Sequence, residues 1–417
     1  MSMRSDEIRL VDEAWKYPLF EAFARRRGHR FLRNGNLQDA QFPFKSQERA
    51  VPLSELETAL LAWAGHGVNG LAMCDVGTSY NTFMSWLGRT HPSPCNDQHG
   101  YLFFVNDSGV FMYNPVSAGK PVEIETPEDR GMILDSFRKD TVQVMDCRPY
   151  FPPGAMLKLN VWNANQPGQT LFLPVVDITY EYINFLLLGF CDDGYRIIDE
   201  RTGKPAGIAK WCDNGFLNGP QMTISMMEVF VYSVVAGTAH YMAQNINLAA
   251  MALGTGCYVW AGFTPLVIMG GTPLTAGLGF RFVTGKDGMP TPVGKDGLIQ
   301  ALCPPYYRNM DEAVDHVLEL KFGKEGLFAE KQAGPSVYQD RSMYTKVRKY
   351  PEEGIACIKA YANYVYDNFG RFPAYVDALQ MPVAATAHHL DLAFYDKYYE
   401  TETVTQQQRE HMHVWHE

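Results

Sequence analysis

Residues Gly88–Pro115 read GRTHPSPCNDQHGYLFFVNDSGVFMYNP, and this stretch combines a polar loop with two apolar runs. Gly, Pro, Ser and Asn are frequent up to Gly100, which predicts a loop because these residues favour turns. The apolar runs Tyr101–Val105 and Val110–Tyr113 flank the turn sequence Asn106–Gly109, and this pattern predicts a β-hairpin. The core of the fold is therefore expected to include a strand pair that begins directly after a polar loop.

Helix signals lie on both sides of this stretch. Ser54 and Glu57 form the pattern of a capping box, in which the serine caps the helix and the glutamate reaches back. Gly254 and Gly256 follow a long apolar run and are expected to end a buried helix. Helices are predicted over Val11–Arg27, from Ser54 to Gly65, and over Met226–Leu253, Met310–Lys321 and Pro351–Asn368.

Further strands are predicted in the second half of the chain. Cys257–Trp260 and Pro265–Met269 are strand-like runs that each end near glycine. Phe172–Phe190 is predicted to form a strand or a short helix, and Asp192–Gly194 to form the turn of a hairpin. This mixture of strands and helices predicts an α+β fold with a sheet at its core.

Composition and charge exclude several classes of partner. The 417 residues carry a formal net charge of −10 without a long basic stretch, so we expect no nucleic-acid partner. Val229–Phe280 contains no Asp, Glu, Lys or Arg, but amides, glycines and prolines interrupt it, so we interpret it as buried rather than membrane-spanning. The eight cysteines contain no CxxC pair and the N-terminus shows no signal peptide, which predicts free thiols in a cytoplasmic protein.

Arg26, Arg27 and Arg30 lie close together at the expected end of the first helix. A guanidinium group can bind phosphate through two hydrogen bonds at once, so these arginines are candidates for holding a flat, phosphate-bearing cofactor. The alternative is a solvent-exposed basic helix end, where positive charge interacts favourably with the helix dipole.

Pro92, Ser93, Asn96 and Gln98 lie in the polar loop before the first strand of the predicted hairpin. A carboxamide carries a donor and an acceptor in one plane, which suits the edge of a heteroaromatic ring with alternating donors and acceptors. The alternative is an ordinary loop in which Ser and Asn only form turns.

Gln244 and Asn245 lie in the long apolar helix, and Ala261 and Gly262 follow the strand after it. Small residues allow the backbone to approach a ligand closely, and buried amides need hydrogen-bond partners, so this segment is a third candidate. The alternative, favoured for this segment taken alone, is a core helix whose polar groups satisfy one another.

Together these three segments resemble the nitroreductase-like flavoprotein family. Its signature Arg-Arg-Ser-x-Arg is matched by Arg26, Arg27 and Arg30, with Gly28 in place of the serine. Its loop signature, Ser-x-x-Asn-x-Gln, is matched in the polar loop, and the stretch quoted above is similar to the branch that contains azoline-forming dehydrogenases. Its helix signature resembles AHYMAQNINLAAMALGTG at residues 239–256, which WAGF follows.

The resemblance implies a central, mostly antiparallel sheet surrounded by helices, in an intertwined homodimer that binds FMN. In this family, backbone N–H groups at the positions of Ala261 and Gly262 face the flavin ring, and Arg281 is the match for a late arginine that holds the phosphate. No catalytic side chain is implied, because the flavin itself carries the redox chemistry. The implied FMN-binding residues are Arg26, Arg27, Arg30, Pro92, Ser93, Asn96, Gln98, Gln244, Asn245, Ala261, Gly262 and Arg281.

On this interpretation the chain divides into four segments. Residues 1–115 form the N-terminal part of the flavin-binding core, and residues 116–224 form an insertion or elaboration of it. Residues 225–285 hold the central helix and the flavin-contacting turn. Residues 286–417 form a C-terminal, mostly helical extension.

The expected function is that of an FMN-dependent oxidoreductase that transfers electrons between NAD(P)H and a small aromatic or conjugated substrate. One alternative is a flavin-dependent dehydrogenase or oxidase that uses oxygen as acceptor. Another is a cofactor-free binding or scaffold protein on the same fold, which Gly28 and the long added segments motivate. A third is an enzyme that consumes FMN as its substrate.

The C-terminal tail is rich in histidine and tyrosine. Such a density of histidines is compatible with a metal site, but their spacing fits no compact metal-binding signature, so we predict no metal. We expect instead that the tail forms a lid or arm that shapes the ligand pocket. The histidines and aspartate are His388, His389, Asp391, His411, His413 and His416. The aromatic residues expected at the pocket are Tyr395, Tyr398, Tyr399 and Trp415.

Overall fold

The computed structural model describes residues 3–38, 41–73, 80–96, 98–115, 124–329 and 336–416. Cys74, Asp97 of the polar loop and residues 116–123 of the predicted insertion therefore lie outside the described residues. The cysteines whose side chains are described are free thiols, as their spacing predicted: Cys147, Cys191, Cys212, Cys257, Cys303 and Cys357.

Helices and strands alternate irregularly along the chain. The α-helices are α1 (Ser5–Trp15), α2 (Leu19–Arg25), α3 (Glu55–His66), α4 (Gly131–Asp140), α5 (Lys158–Ala164), α6 (Ile178–Cys191), α7 (Ala209–Asp213), α8 (Ile224–Leu253), α9 (Pro265–Met269), α10 (Met310–Phe322), α11 (Glu352–Phe369), α12 (Leu392–Tyr398) and α13 (Gln406–His416). The strands are β1 (Asn36–Leu37), β2 (Phe44–Lys45), β3 (Val68–Leu71), β4 (Leu87–Arg89), β5 (Gly100–Asn106), β6 (Gly109–Tyr113), β7 (Thr141–Met145), β8 (Thr170–Asp177), β9 (Arg196–Asp199), β10 (Lys204–Pro205), β11 (Gln221–Thr223), β12 (Gly256–Trp260), β13 (Arg281–Thr284), β14 (Pro290–Lys295), β15 (Ile299–Gln300), β16 (Leu379–Gln380) and β17 (Ala384–His388).

A seven-stranded antiparallel sheet forms the centre of the described structure. Its strand order is β12–β17–β8–β5–β6–β7, and β16 also pairs with β8. The predicted hairpin is confirmed as β5 and β6, in which Leu102 pairs with Tyr113. All eight residues of β8 are buried, so this strand lies at the centre of the core. The fold is thus α+β with a central antiparallel sheet.

Strands from all four predicted segments contribute to this one sheet. The first segment supplies β5 and β6, the second supplies β7 and β8, and the third supplies β12. The fourth segment was expected to be a mostly helical extension, yet its strand β17 lies between β12 and β8. Strand pairing in this sheet therefore joins residues that are far apart in sequence.

Helix α8 packs along β8, β12 and β17 and against α3. The helices approach closely where α3 carries Gly65, since a Cβ there would lie only 2.8 Å from the side chain of Ile246. Gly254, with a φ of 82°, ends α8 where the sequence predicted. Among the described residues, no helix is long and apolar enough to cross a membrane.

Three local predictions are wrong. The helix expected over Val11–Arg27 is divided into α1 and α2, because Pro18 cannot donate the hydrogen bond that a helix interior requires. Pro265–Met269 forms α9 rather than a strand, since proline begins this short helix and Gly270, with a φ of 97°, ends it. Asp192–Gly194 follows α6 and joins it to β9, so it is not the turn of a hairpin.

Candidate functional site

The arginine segment after α2 runs beside β12. The backbone N–H of His29 donates to the carbonyl oxygen of Cys257 at 3.2 Å, which positions the following residue. Arg30 Nη2 donates to Asn160 Oδ1 at 2.7 Å, and the guanidinium group lies 4.7 Å from the centroid of the Tyr258 ring. Protein contacts therefore hold Arg30 on two sides.

Asn160 connects Arg30 to the predicted glycine turn. Its Nδ2 donates to the carbonyl oxygen of Gly262 at 3.4 Å, and the backbone N–H of Leu157 donates to the same oxygen at 2.7 Å. A Cβ added at Gly262 would lie 2.8 Å from Asn160 Nδ2, so a larger residue requires a shift there. Helix α5 thus links the arginine segment to the glycine turn.

A cavity of about 330 Å³ opens at the arginine segment, and Arg27 and Arg30 both line it. The Arg30 guanidinium also lies 5.9 Å from the centroid of the Trp162 ring. Of the tail aromatics expected at a pocket, Tyr395 and Tyr399 line this cavity. Tyr398 donates to the carbonyl oxygen of Pro43 instead, and Trp415 stacks on His411. Aromatic walls next to arginines suit a flat ring that carries negative charge.

The polar loop packs on α8 and is held by its own side chains. The backbone N–H of Gln98 donates to Ser93 Oγ at 3.2 Å, and Gln98 Nε2 donates to Asn96 Oδ1 at 2.6 Å. Thr238 Oγ1, on α8, donates to Ser93 Oγ at 3.4 Å. Asn96 and Gln98 have φ angles of 52° and 57°, a left-handed conformation that is uncommon outside glycine. These contacts anchor the loop to α8, whereas Arg30 is anchored to α5.

The polar loop and the glycine turn nevertheless leave the central sheet at the same edge. Gly100 pairs with Val176 at the start of β5, and Trp260 pairs with Ala384 at the end of β12. Since neighbouring strands alternate in direction, β5 begins where β12 ends. Trp260 is level with Phe103, so three strand spacings across the sheet and three residues along β5 separate Trp260 from Gly100, which is roughly 17 Å.

The remaining predicted residues have other partners or are exposed. Asn245 Nδ2 donates to the carbonyl oxygen of Thr90 at 2.8 Å, as the core-helix alternative expected. Arg281 lies in the separate sheet β13–β14–β15, where its Nη1 is 3.3 Å from Asp296 Oδ1. The central sheet therefore does not bring Arg281 to Arg30. The exposed residues are Arg26, Pro92, Gln244 and Ala261.

Sequence analysis missed Asn160, the residue that links Arg30 to Gly262. Asn160 and Asn163 are both buried on α5, and Asn163 Nδ2 donates to the carbonyl oxygen of Arg30 at 2.8 Å. Two asparagines three residues apart share one face of a helix, and this spacing was the available signal.

The histidine-rich tail meets Glu57, which sequence analysis assigned only to a helix cap. The capping box is confirmed, since the Ser54 N–H donates to Glu57 Oε2 at 2.6 Å and the Glu57 N–H donates to Ser54 Oγ at 3.2 Å. The other carboxylate oxygen, Oε1, lies 2.9 Å from His389 Nε2, 2.8 Å from His411 Nε2 and 3.4 Å from His416 Nε2. The tail histidines thus contact the carboxylate of Glu57, which lies far from them in the sequence.

Burial and hydrogen bonding act in opposite directions on the pKa of Glu57. Burial alone would raise this pKa, but hydrogen bonds with His389, His411 and His416 outweigh burial and hold it well below its ordinary value. Burial lowers the pKa of His389, and its contact with Glu57 compensates only in part. A ring nitrogen lowers the pKa of Glu57 only when it carries a proton, so the lowered value requires protons, or another cation in their place, between the rings and the carboxylate.

Comparisons with known proteins add little to this geometry. No protein-family model and no curated protein matches the chain. Among solved structures, the chain is similar to a "putative nitroreductase" from Ralstonia eutropha JMP134, with 14% identity and a TM-score of 0.28. The similarity covers 60% of this chain and 71% of that chain. Similarity this weak carries no argument about activity.

Proposed function

We propose that this chain is an FMN-dependent oxidoreductase that transfers electrons between NAD(P)H and a small aromatic or conjugated substrate. The observation that supports the proposal is the aromatic-walled cavity at Arg27 and Arg30. Aromatic side chains pack against a flat ring, and arginines donate hydrogen bonds to a phosphate or to the polar edge of the ring. The proposal is also supported by Asn160, which accepts a hydrogen bond from Arg30 and donates one to the carbonyl oxygen of Gly262.

Arg30 has one donor without an acceptor among the described residues. Its Nε is buried and has no hydrogen-bond partner among the described residues, although Nη2 is occupied. A buried N–H without an acceptor costs about 1–3 kcal/mol, so an acceptor on a bound ligand would stabilise this arrangement. FMN, when bound, supplies the electron transfer, and the chain binds the ring and controls access to it.

We also propose a homodimer, because the described cavity lining contains no residue of the polar loop. Helix α2 packs against α8, and both helices expose large apolar side chains, of which Phe20 is 83% exposed. Exposed apolar surface of this kind favours contact with another protein chain. The exposed residues are Leu19, Phe20 and Phe23 on α2 and Met226, Val229, Phe230 and Tyr241 on α8. Light scattering of the purified protein tests the proposed dimer, and a monomeric mass contradicts it.

FMN binding is the first test of the proposed function. We expect the purified protein to show flavin absorption or to acquire it when FMN is added. Arg30→Ala and Asn96→Ala should each weaken FMN retention by about tenfold, because each removes a hydrogen-bonding group from the proposed site. Arg308→Ala is the matched control, since the Arg308 side chain is 87% exposed. If both site variants retain FMN as tightly as the parent, the site assignment is wrong.

Two further outcomes separate the alternatives. A colourless protein that does not take up added FMN supports a cofactor-free binding or scaffold protein instead. Anaerobic addition of NADH or NADPH should bleach the flavin of the proposed oxidoreductase. A flavin that only its substrate reduces, and that oxygen reoxidises, identifies a dehydrogenase or oxidase.

A further inference from the structure

Glu57, His389, His411 and His416 come from three separate parts of the chain and meet at one point. Glu57 lies on α3, His389 follows β17, and His411 and His416 lie on α13. Their ligand atoms, which are three imidazole nitrogens and one carboxylate oxygen, all lie within 4.8 Å of one another. Three of the side chains are almost fully buried, and that of His416 is 18% exposed. Such convergence of imidazoles on one carboxylate oxygen requires an explanation.

The outer ring nitrogens of two of these histidines are anchored to backbone carbonyls. His389 Nδ1 lies 2.9 Å from the carbonyl oxygen of Val51, and His411 Nδ1 lies 2.8 Å from that of Leu253. A carbonyl oxygen only accepts, so each Nδ1 carries the proton and donates it. In the neutral ring the lone pair is then on Nε2, which points at the centre of the cluster. Metal-binding histidines in proteins are oriented in this way.

A ring whose Nδ1–H is anchored to a carbonyl presents Nε2 as an acceptor unless Nε2 also carries a proton. Glu57 Oε1 and the Nε2 atoms of His389 and His411 are then three acceptors that face one another, and a cation at the centre satisfies all three. A second proton on each of these two rings is the alternative explanation. The position of His416 favours a metal over that alternative, because its Nε2 lies 3.1 Å from His389 Nε2 and 3.4 Å from Glu57 Oε1. Ion pairs between Glu57 and protonated His389 and His411 do not need His416, whereas a four-coordinate metal needs a fourth ligand.

We propose that Glu57, His389, His411 and His416 bind a divalent transition-metal ion, with Zn²⁺ as the best match. In a tetrahedral site with bonds of about 2.0–2.1 Å, the ligand atoms lie roughly 3.3–3.5 Å apart. Four of the six pairs of ligand atoms lie 2.8–3.4 Å apart and need only a small outward movement to reach that spacing, while the other two pairs lie within 4.8 Å. Three imidazoles and one carboxylate suit Zn²⁺, whereas Ca²⁺ and Mg²⁺ prefer oxygen ligands.

The site has a structural role, because four protein ligands complete a tetrahedral coordination sphere and leave no position for a substrate. The metal fastens α13 to α3 and to the residue after β17. The chain between His389 and His411 includes Tyr395 and Tyr399, which line the cavity at Arg30. Metal binding therefore also holds the tail in the position that shapes this cavity. The inference rests on the cluster alone and is independent of the proposed FMN chemistry.

The test uses the full chain, first stripped of metal by a chelator and then dialysed against Zn²⁺. Elemental analysis should give one Zn²⁺ per chain for the parent. His411→Ala and His416→Ala should each lower Zn²⁺ affinity by more than the roughly 10–100-fold typical of changes outside the ligand shell. The matched control is His413→Ala, because His413 is exposed on the same helix and lies outside the cluster. This control should bind Zn²⁺ like the parent.

A second measurement keeps the inference falsifiable if His411→Ala does not fold. Co²⁺ added to the metal-free parent should produce the visible absorption bands of tetrahedral coordination, and His416→Ala should lose them while its circular dichroism stays unchanged. A parent chain that binds neither ion, or a His416→Ala variant that binds both like the parent, overturns the proposal. FMN uptake is measured on the same samples, so a failure of the flavin proposal is distinguishable from a failure of the metal proposal.

Discussion

Glu57 and Glu228 are both fully buried glutamates, but their surroundings differ in kind. They lie on α3 and α8, which pack against each other. Glu228 accepts hydrogen bonds from three consecutive backbone N–H groups, those of Ala374 at 2.7 Å, Tyr375 at 2.6 Å and Val376 at 3.3 Å. Glu57 meets one backbone N–H and three imidazole rings. Glu228 therefore closes a loop, whereas Glu57 lies at the centre of a set of possible metal ligands.

The pKa values of the two carboxyl groups move in opposite directions. Burial raises the pKa of Glu228 to about 7, although the three backbone N–H groups and Arg371 act to lower it. Burial also acts to raise the pKa of Glu57, but the imidazoles reverse the effect. Equal burial therefore does not determine the charge of a glutamate, because the groups that face it decide which protonation state is stabilised.

The largest effect is expected for Glu57→Ala. We expect it to lower the free energy of unfolding by about 3–5 kcal/mol, because it removes the carboxylate from a buried charged cluster and leaves its partners unpaired. It should also abolish Zn²⁺ binding. Chemical denaturation measures the first effect, with Glu55→Ala as control on the same helix. Glu55 is exposed and pairs with Arg138 at 2.6 Å, so its loss should cost less than about 1 kcal/mol. Equal losses for both variants contradict the distinct role of Glu57.

The pH dependence of stability tests the other glutamate. The pKa of Glu228 is about 7 in the folded chain, above its ordinary value of 4.5. Its contribution to stability is therefore fully present below pH 4.5 and is lost as the pH rises through about 7. That loss is on the order of 3 kcal/mol, and Glu228→Gln should remove it because glutamine does not ionise.

Urea denaturation from pH 4.5 to 8 measures this difference. Tyr182, Tyr361 and Tyr375 interact with Glu228, and because their pKa values are raised above the ordinary value of 10.0, they stay neutral across that range. The neighbouring Arg371 acts to lower the pKa of Glu228. The parent should lose stability relative to Glu228→Gln across the range. Parallel stability curves for the two proteins show instead that Glu228 stays ionised in the folded chain.

The smallest expected effects concern the caps of the two helices. Ser54→Ala and Thr223→Ala each remove a side chain that accepts a backbone N–H at the start of α3 or α8. Each should lower the free energy of unfolding by about 1 kcal/mol. Ser54→Ala should leave metal content unchanged, since the Ser54 backbone N–H still binds Glu57 Oε2. Loss of metal in this variant shows instead that the Ser54 side chain is needed to position Glu57.

Local sequence patterns predicted many helices and strands correctly. They failed where the same pattern is compatible with both a helix and a strand. The Ser54–Glu57 cap, the β5–β6 hairpin and the Gly254 end of α8 were predictable, because each depends on residues within a few positions of one another. The helix at Pro265–Met269 was not predictable, since a short apolar run fits a strand and a buried helix equally well. Proline at its start and Gly270 at its end favour the helix.

The amino-acid pattern was enough to locate the arginines, the amides and the glycine turn of the candidate site, and the histidines of the tail. Which of these residues contact one another depends on how the chain packs. Arg30 reaches Gly262 through Asn160, and Glu57 reaches His389 across more than three hundred residues, because β17 lies in the central sheet and α13 packs on α8. Packing of buried apolar surface selects such pairs, and no spacing along the chain records that selection.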